Sequence, residues 1–391
     1  MTSSAAPTIA IACGGTGGHL FPGRAVADQL RRRGCKVSLL VSPKEVDQRS
    51  ARSSPGLDWV TLPAVACHPG QQLAFLRGFI QSYRAASKLF RANRPQAVLA
   101  MGGFTAAPPV LAGRFFGARS FLHESNTIPG RANRWLAWTA DRVFVGFPQA
   151  ARRFRRSAVT VTGTPVREQF QPRDPVVCRV ALGLEPDRPV LLVMGGSQGA
   201  SGINDLILQA LPQLASAAPR LQLFHLTGQN DFEKVRTACT GQGMKAVTHP
   251  FFAEMDLALG AATVAVSRAG ASSLAEFAAM RLPSVLIPYP SAADNHQFHN
   301  ARALADSGAA RMLEQRSASA AGLVNEILAL LEDGQTREKA QRALAQWHAP
   351  DAASVIANEM LGAICRAAGP APGLKRPANA DAPEQQHCTA V

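Results

Sequence analysis

The segment Gly14-Gly15-Thr16-Gly17-Gly18-His19 combines two things a group-transfer site needs, bare backbone and a proton acceptor. Glycines let a main chain approach a ligand closely, and N–H groups freed at a helix N-terminus donate to anions. An unperturbed imidazole titrates near about pH 6.5, so His19 could take a proton from an attacking hydroxyl. A tight strand-to-helix turn is the plainer alternative, but it does not call for four glycines in five positions ending on histidine. Dinucleotide binding fits poorly. G-x-G-x-x-G needs glycine at position 20, which is Leu20, and Ser42 stands where the acidic ribose ligand is expected. The loop holds no lysine, so it is not a Walker-type phosphate loop either.

Two more glycine turns lie further along. Gly195-Gly196-Ser197-Gln198-Gly199-Ala200 offers free N–H groups and the Ser197 hydroxyl to a diphosphate. Ser267-Arg268-Ala269-Gly270-Ala271-Ser272 leads into a helix carrying Glu276. A carboxylate near a helix start can simply favour the dipole. It can also accept from both hydroxyls of a ribose. Taken alone, the spacing favours the first reading.

These turns need elements to hold them. Short β-rich runs alternate with helical patterns throughout. Strands are expected at Thr8–Cys13, Val37–Val41, Trp59–Leu62, Ala97–Ala100, Phe121–His123, Val143–Val145 and Val159–Thr162, with helices at Pro22–Arg33 and Leu73–Asn93. Near residues 165–178, where Pro165, Pro172 and Pro175 cluster, the pattern breaks and then restarts. A polar, turn-rich stretch at Arg179–Asp187 precedes strands at Val190–Met194, Leu221–Leu226, Val264–Val266 and Ser284–Ile287. Helices are expected there at Ser273–Met280, His296–Asp306 and Ala320–Leu331. Such alternation predicts an α/β chain of βαβ units with parallel sheets. Each half opens on a strand and a glycine loop, which predicts two Rossmann-like domains in tandem.

Composition agrees. A chain of 391 residues is long enough for two cores, and 47% of it is apolar. No run reaches the roughly 18 apolar residues of a membrane span. The start, Met1-Thr2-Ser3-Ser4, lacks the basic region of a secretion signal, so a cytoplasmic protein is expected. The net charge of +14 predicts an anionic partner: nucleic acid, an anionic membrane or a phosphorylated substrate. Seven scattered cysteines show no metal-site spacing and read as reduced packing residues. Beyond about Cys365 proline, glycine and alanine dominate, which predicts a disordered tail.

Together with their neighbours, these loops resemble the bacterial peptidoglycan glycosyltransferases of glycosyltransferase family 28. The resemblance runs from about Thr8 to Ala363. It is carried, in family order, by GGTGGHLFPG at 14–23, GGFTAAPP at 102–109, HESNTIPGRAN at 123–133, GTPVR at 163–167, GGSQGA at 195–200, SRAGASSLAE at 267–276 and DNHQFHNA at 294–301. It implies a GT-B fold, with two Rossmann-like domains facing across a cleft. Residues 1–168 would meet the acceptor and the membrane, and 169–347 the UDP-sugar. A C-terminal helix at 348–366, centred on Ala352–Arg366, would cross back to the first domain, and 367–391 would be the tail.

The resemblance also implies an activity. N-acetylglucosamine would pass from UDP-N-acetylglucosamine to undecaprenyl-pyrophosphoryl-N-acetylmuramyl-pentapeptide, the lipid I acceptor, giving lipid II. The transfer would invert the anomeric centre and use no metal or other cofactor. It would take place on the cytoplasmic face of the anionic inner membrane, and nucleic acid would not be a partner. By matching positions, Glu276 would bind the ribose hydroxyls beside Ala271 and Ser272. Ser197 and Gln198 would contact the diphosphate, and Arg167 would lie in the nucleotide cleft. Phe252 would present its backbone to the uracil, and Gln297 and Asn126 would contact the sugar. Thr16, Gly17, Gly18, His19 and Glu124 would face the acceptor, with His19 the first candidate base and Glu124 the second. A helix starting near Ser197 would stabilise the charge of the leaving diphosphate. Thr164, Ser125, Phe104, His296 and Ser201 stand where the family pattern often has Asn, Gln, Tyr, Gln and Arg.

Three rivals stand beside this reading. One is another UDP-sugar:lipid transferase of the same fold, such as a diacylglycerol glycosyltransferase. The second is an NAD-dependent oxidoreductase, against which the missing third glycine and ribose acid speak. The third is a non-catalytic sugar-nucleotide binder, against which His19, Glu276 and Gln297 speak. For the membrane, the expected helix Leu73–Asn93 gathers Phe75, Leu76, Phe79, Ile80, Tyr83, Ala86 and Phe90 in one sector. Arg77, Arg84, Lys88 and Arg91 lie at its edge, and Arg114-Phe115-Phe116 with Arg119 repeats the mixture. Such a face either packs on the sheet or rests on anionic lipid.

Overall fold

The computed structural model describes residues 6–52, 56–63, 72–155, 157–196, 199–240 and 244–367. In the first domain β1 (Thr8–Ala12), α1 (Gly17–Arg32), β2 (Lys36–Val41), α2 (Glu45–Arg52), β3 (Asp58–Thr61), α3 (Gln72–Ala92) and β4 (Ala97–Ala100) lead to α4 (Ala107–Phe115), β5 (Arg119–Glu124), α5 (Arg131–Leu136), β6 (Arg142–Val145), α6 (Pro148–Ala151) and β7 (Val159–Val161). The second domain begins with α7 (Pro175–Ala181), β8 (Val190–Met194), α8 (Ser201–Ala217), β9 (Gln222–Leu226), α9 (Phe232–Thr240), β10 (Ala246–His249) and α10 (Met255–Ala261). It continues with β11 (Val264–Ser267), α11 (Ala271–Met280), β12 (Ser284–Leu286), α12 (His296–Asp306), β13 (Arg311–Met312), α13 (Ala320–Glu332) and α14 (Gly334–Trp347), and α15 (Ala352–Ala367) ends the described chain.

Both sheets are parallel, with strand orders β3-β2-β1-β4-β5-β6-β7 and β10-β9-β8-β11-β12-β13. Helices cover both faces, so the central strands are apolar on both. Ile9, Ile11, Leu99 and Phe121 enter one core layer, and Ala10, Val98 and Leu122 the other. The second sheet divides in the same way, with Val190, Leu192 and Phe224 on one face and Leu191, Val193 and Leu223 on the other. The strand order reverses at β1/β4 and at β8/β11. Ligands of such sheets bind beyond the C-terminal strand ends at these reversals. All three glycine turns lie there, following β1, β8 and β11.

The structure corrects several local expectations. α1 starts at Gly17, not Pro22. Pro22 lacks the N–H that would bond the Gly18 carbonyl, and that carbonyl accepts from the Ser272 hydroxyl of the second domain at 3.1 Å instead. The helix expected near Ser197 is α8, which begins at Ser201. Part of the expected turn-rich stretch 179–187 is helical, because Asp174 caps α7 by accepting from Val176 N at 2.9 Å. α4, which the sequence pattern does not announce, admits Pro108 and Pro109 because they lie in its first turn, where no intrahelical donor is needed. α15 lays Ala353, Ile356, Ala357 and Met360 into the first-domain core. Its Ser354 and Asn358 accept from the Arg33 guanidinium at 2.7 and 3.0 Å. Cys13, Cys35, Cys178 and Cys239 are buried free thiols and Cys365 is an exposed one. Cys67, Cys388 and the expected disordered tail beyond residue 367 lie outside the described residues.

Candidate active site

The first glycine turn is pinned from three sides. Gly15, at φ 110°, donates its N–H to Asp47 Oδ2 at 2.8 Å. Lys44 Nζ donates to the Gly15 carbonyl at 3.1 Å, and Thr105 Oγ1 donates to the Gly14 carbonyl at 2.7 Å. α1 then opens with Thr16 as N-cap and Gly17 and Gly18 in its first turn; the Thr16 hydroxyl meets His19 Nδ1 at 3.2 Å. The imidazole lies on the backbone of Gly102 and Gly103, where an added Cβ would come within 3.0 and 3.1 Å of the ring. Burial pushes His19 down to about 4; Asp47 opposes that shift, while His296 and Lys44 add to it. At neutral pH the ring is uncharged and can accept a proton. In the tautomer whose Nδ1–H donates to Thr16, Nε2 keeps its lone pair for a substrate hydroxyl.

Glu124 is bound differently. It is 2% exposed. Oε1 accepts from Asn126 N at 2.9 Å and Asn126 Nδ2 at 3.1 Å; Oε2 accepts from Gly130 N at 3.0 Å and Asn133 Nδ2 at 2.7 Å. Burial pushes its carboxyl up, and these hydrogen bonds pull it back. Both oxygens are committed, so Glu124 ties the loop after β5 together rather than standing open as a base.

Asn126 is also committed, because its Oδ1 accepts from Asn300 Nδ2 at 3.0 Å. Asn300, fully buried on α12, is a residue that the reading of the sequence passed over. Its Oδ1 accepts from both N and Oγ1 of Thr127 at 2.9 Å, and its Nδ2 also reaches the Ala269 carbonyl at 3.2 Å. One amide thus clips the first domain to the third glycine turn of the second. The available signal was a second asparagine within the DNHQFHNA run, three residues beyond Gln297.

Across the cleft, Glu276 Oε1 lies 3.6 Å from Arg167 Nη2, their side chains 11% and 9% exposed. The Arg167 guanidinium is 4.4 Å from the centre of the Phe21 ring and 4.7 Å from that of Phe170, and its Nε is buried without a hydrogen-bond partner among the described residues. Burial pushes Glu276 up to about 7 against the pull of Arg167. Ala271 is the first residue of α11, and Ser272 beside it makes the bond to Gly18. Gln297 Oε1 accepts from Tyr289 N at 3.0 Å and Ala269 N at 3.3 Å, which fixes the side chain beside the same turn. Phe252 is anchored edge-on against Phe224 with ring centres 5.3 Å apart. Ser197 and Gln198 lie outside the described residues. Beside them Gly199, at φ 77°, admits no side chain, since a Cβ would strike the Thr227 carbonyl at 2.3 Å.

The first glycine turn therefore meets the third through Gly18 and Ser272; the third turn also carries the bond to Gln297, and the helix that leaves it bears Glu276 with Arg167 beside it. Comparison with known proteins bears on this arrangement. Residues 9–145 match the glycosyltransferase family 28 N-terminal domain, and residues 190–356 match the glycosyltransferase family 28 C-terminal domain. A protein of Citrifermentans bemidjiense is 36% identical over 363 residues, 90% of this chain and 98% of its own length. It is named UDP-N-acetylglucosamine--N-acetylmuramyl-(pentapeptide) pyrophosphoryl-undecaprenol N-acetylglucosamine transferase. A protein of the same name from Desulforudis audaxviator is 34% identical over 368 residues, 90% of this chain and 98% of its own. Among solved structures, MurG of Acinetobacter baumannii matches with a TM-score of 0.69 at 27% identity, covering 91% of this chain and 99% of that one.

Proposed function

The chain belongs to glycosyltransferase family 28, and on that premise we propose that it transfers N-acetylglucosamine from UDP-N-acetylglucosamine to lipid I, yielding lipid II for peptidoglycan. One observation carries the reading. The acceptor-side and donor-side turns touch, Ser272 Oγ to Gly18 O at 3.1 Å, and the helices that begin there bear His19 and Glu276. Glu276 takes the ribose hydroxyls, and the positive ends of α8 and α11 face the diphosphate as its charge develops. Gln297 meets the sugar. The acceptor hydroxyl attacks the anomeric carbon from the face opposite UDP and passes its proton to His19. Glu124 and Asn126 shape the acceptor loop.

The lipid tail of the acceptor stays in the bilayer, so the first domain must rest on it. No helix among the described residues is long and apolar enough to cross a membrane. A resting face fits the exposed Leu73, Leu76 and Ile80 of α3, Phe115 at the end of α4, and Trp135 and Trp138 at α5. Ala86 and Phe90 of α3 are buried against the sheet, so that helix serves both packing and surface. Arg77, Arg84, Lys88 and Arg91 are all exposed to meet anionic lipid. The test is transfer of radiolabelled N-acetylglucosamine from its UDP donor with a lipid I analogue and diacylglycerol offered side by side. Label on the lipid I analogue is expected; label on diacylglycerol alone would overturn the reading.

A further inference from the structure

Asp47 is a buried ionisable group beside the first glycine turn that the scheme above leaves unused. It is 0% exposed, in the first turn of α2, five residues beyond the position where a ribose-binding acid would stand. Its Oδ2 takes three donors: Gly15 N at 2.8 Å, Ser42 N at 2.9 Å and Ser42 Oγ at 2.6 Å. Its Oδ1 is buried with no hydrogen-bond partner among the described residues. Bracing a turn needs an acceptor oxygen but not a charge, and a buried oxygen without a partner is unfavourable. A carboxylate in this place is therefore a poor brace unless its charge has a use.

The charge has one neighbour that gains from it. Asp47 holds Gly15 at 2.8 Å and the His19 ring meets the hydroxyl of the next residue, Thr16, at 3.2 Å, so the carboxylate and the imidazole are tied to the same turn. The charged or titratable groups that act on the ring are Asp47, His296 on α12 and Lys44, between β2 and α2. His296 and Lys44 disfavour the imidazolium, and Asp47 favours it. We propose that Asp47 is a positioning residue for the transfer step, holding the Gly15 turn that leads into His19 and placing the anion that stabilises His19 once it has taken the proton. In that step the acceptor oxygen bonds to the anomeric carbon, and the bond to UDP breaks with its electron pair going to the diphosphate. The hydroxyl proton moves to His19, and Asp47 stabilises the resulting cation without accepting the proton. The inference rests on reading His19 as the base.

The experiment follows the His19 resonances by NMR in full-length protein labelled at histidine, identified with His19→Gln. It compares the parent with Asp47→Asn, with Asp47→Ser as a second neutral replacement that keeps an acceptor oxygen, with Asp47→Glu and with Lys44→Met. Transfer to a lipid I analogue is measured in parallel. The neutral variants should protonate His19 at lower pH than the parent, by roughly one unit, the lower end of the effect of a nearby opposite charge. Their kcat should fall about tenfold or more while the KM for UDP-N-acetylglucosamine stays within about twofold. Lys44→Met should move the titration upward, and Asp47→Glu should restore both titration and rate. An unchanged His19 titration in both neutral variants would overturn the proposal and leave Asp47 a brace. Normal turnover by His19→Gln would instead refute the base reading, a result distinguishable because the NMR shifts do not depend on activity.

Discussion

Replacing Glu276 with glutamine should move two properties in opposite directions. The carboxylate is 11% exposed, 3.6 Å from Arg167, and burial lifts its pKa from 4.5 to about 7. Between those values the folded protein holds a proton that the unfolded chain has released. The group therefore contributes its full stability below about pH 4.5 and loses it as pH rises through about 7. At about 1.36 kcal/mol per pKa unit, the loss by pH 8 is roughly 3 kcal/mol. Glutamine is neutral throughout and escapes this penalty, so Glu276→Gln should melt several degrees above the parent at pH 8, with the gap closing toward pH 5. Affinity for UDP should fall, because the ribose hydroxyls lose a charged acceptor worth about 2–3 kcal/mol, roughly 30- to 150-fold in Kd. In the parent, UDP should also bind more weakly below pH 7 and release a proton on binding, since only the carboxylate accepts from both hydroxyls. Differential scanning fluorimetry and isothermal calorimetry from pH 5 to pH 8 read both effects. Equal UDP affinity in parent and variant would refute the ribose assignment. Superimposable melting profiles across pH would refute the burial argument.

His19→Ala should lower kcat by about 10²–10⁴ with little change in donor affinity, the range for loss of a general base; near-normal turnover would remove His19 from that role. Asn300→Ala leaves the Thr127 N–H and the Asn126 side-chain Oδ1 without their partner, so urea unfolding should show a loss of about 2–4 kcal/mol. Its small-angle scattering should show a wider separation of the domains; an unaltered profile and midpoint would deny it the role of clip. Changing Arg77, Arg84, Lys88 and Arg91 together to glutamine should reduce sedimentation with anionic vesicles and soften its salt dependence while UDP binding holds. Parent-like sedimentation would place the membrane face elsewhere.

The central strands were legible because parallel strands covered on both faces read as unbroken apolar runs, and each of β1, β8 and β11 ends at a glycine turn. Edge and cap elements were harder to see. β10 is half-buried and β13 has two residues, too short for any periodicity. The expected helix begins at Pro22, a residue that favours a first helical position, but α1 begins at Gly17. Pro22 sits five residues further in because Ser272, more than 250 residues away in sequence, satisfies the carbonyl it leaves open. The site divides in the same manner. His19 and Glu276 sit in motifs whose spacing is local. Asp47 and Asn300 act across 32 and 173 residues of chain, on Gly15 and Thr127, and only tertiary structure makes those pairings visible. Glu124 could be singled out as a candidate from its motif, but the four donors that commit its oxygens could not.

The Arg167–Glu276 pair bears on why the cleft tolerates buried charge. A buried ion pair is weak evidence for stability, since desolvation of both groups can exceed their attraction. Here Glu276 is pushed toward neutrality even with Arg167 beside it, so the pair does not stabilise the fold. Its use lies in what a donor nucleotide would meet. Arg167 is held by the faces of Phe21 and Phe170 independently of Glu276, so it would stay in place if the carboxylate turned to a ribose. On the proposed reading, an incoming diphosphate would bring negative charge into the same cleft and take over as partner for the guanidinium, whose Nε has no hydrogen-bond partner among the described residues. Binding would then exchange one loose 3.6 Å contact for two hydroxyl donors on Glu276 and an anion on Arg167. Because the cation is preorganised, little is spent on its reorganisation as charge develops on the departing UDP. On this argument Arg167→Lys should bind UDP with modest loss but transfer sugar much more slowly, because a flexible ammonium cannot stack between two rings; equal losses in binding and turnover would show that stacking contributes nothing beyond charge.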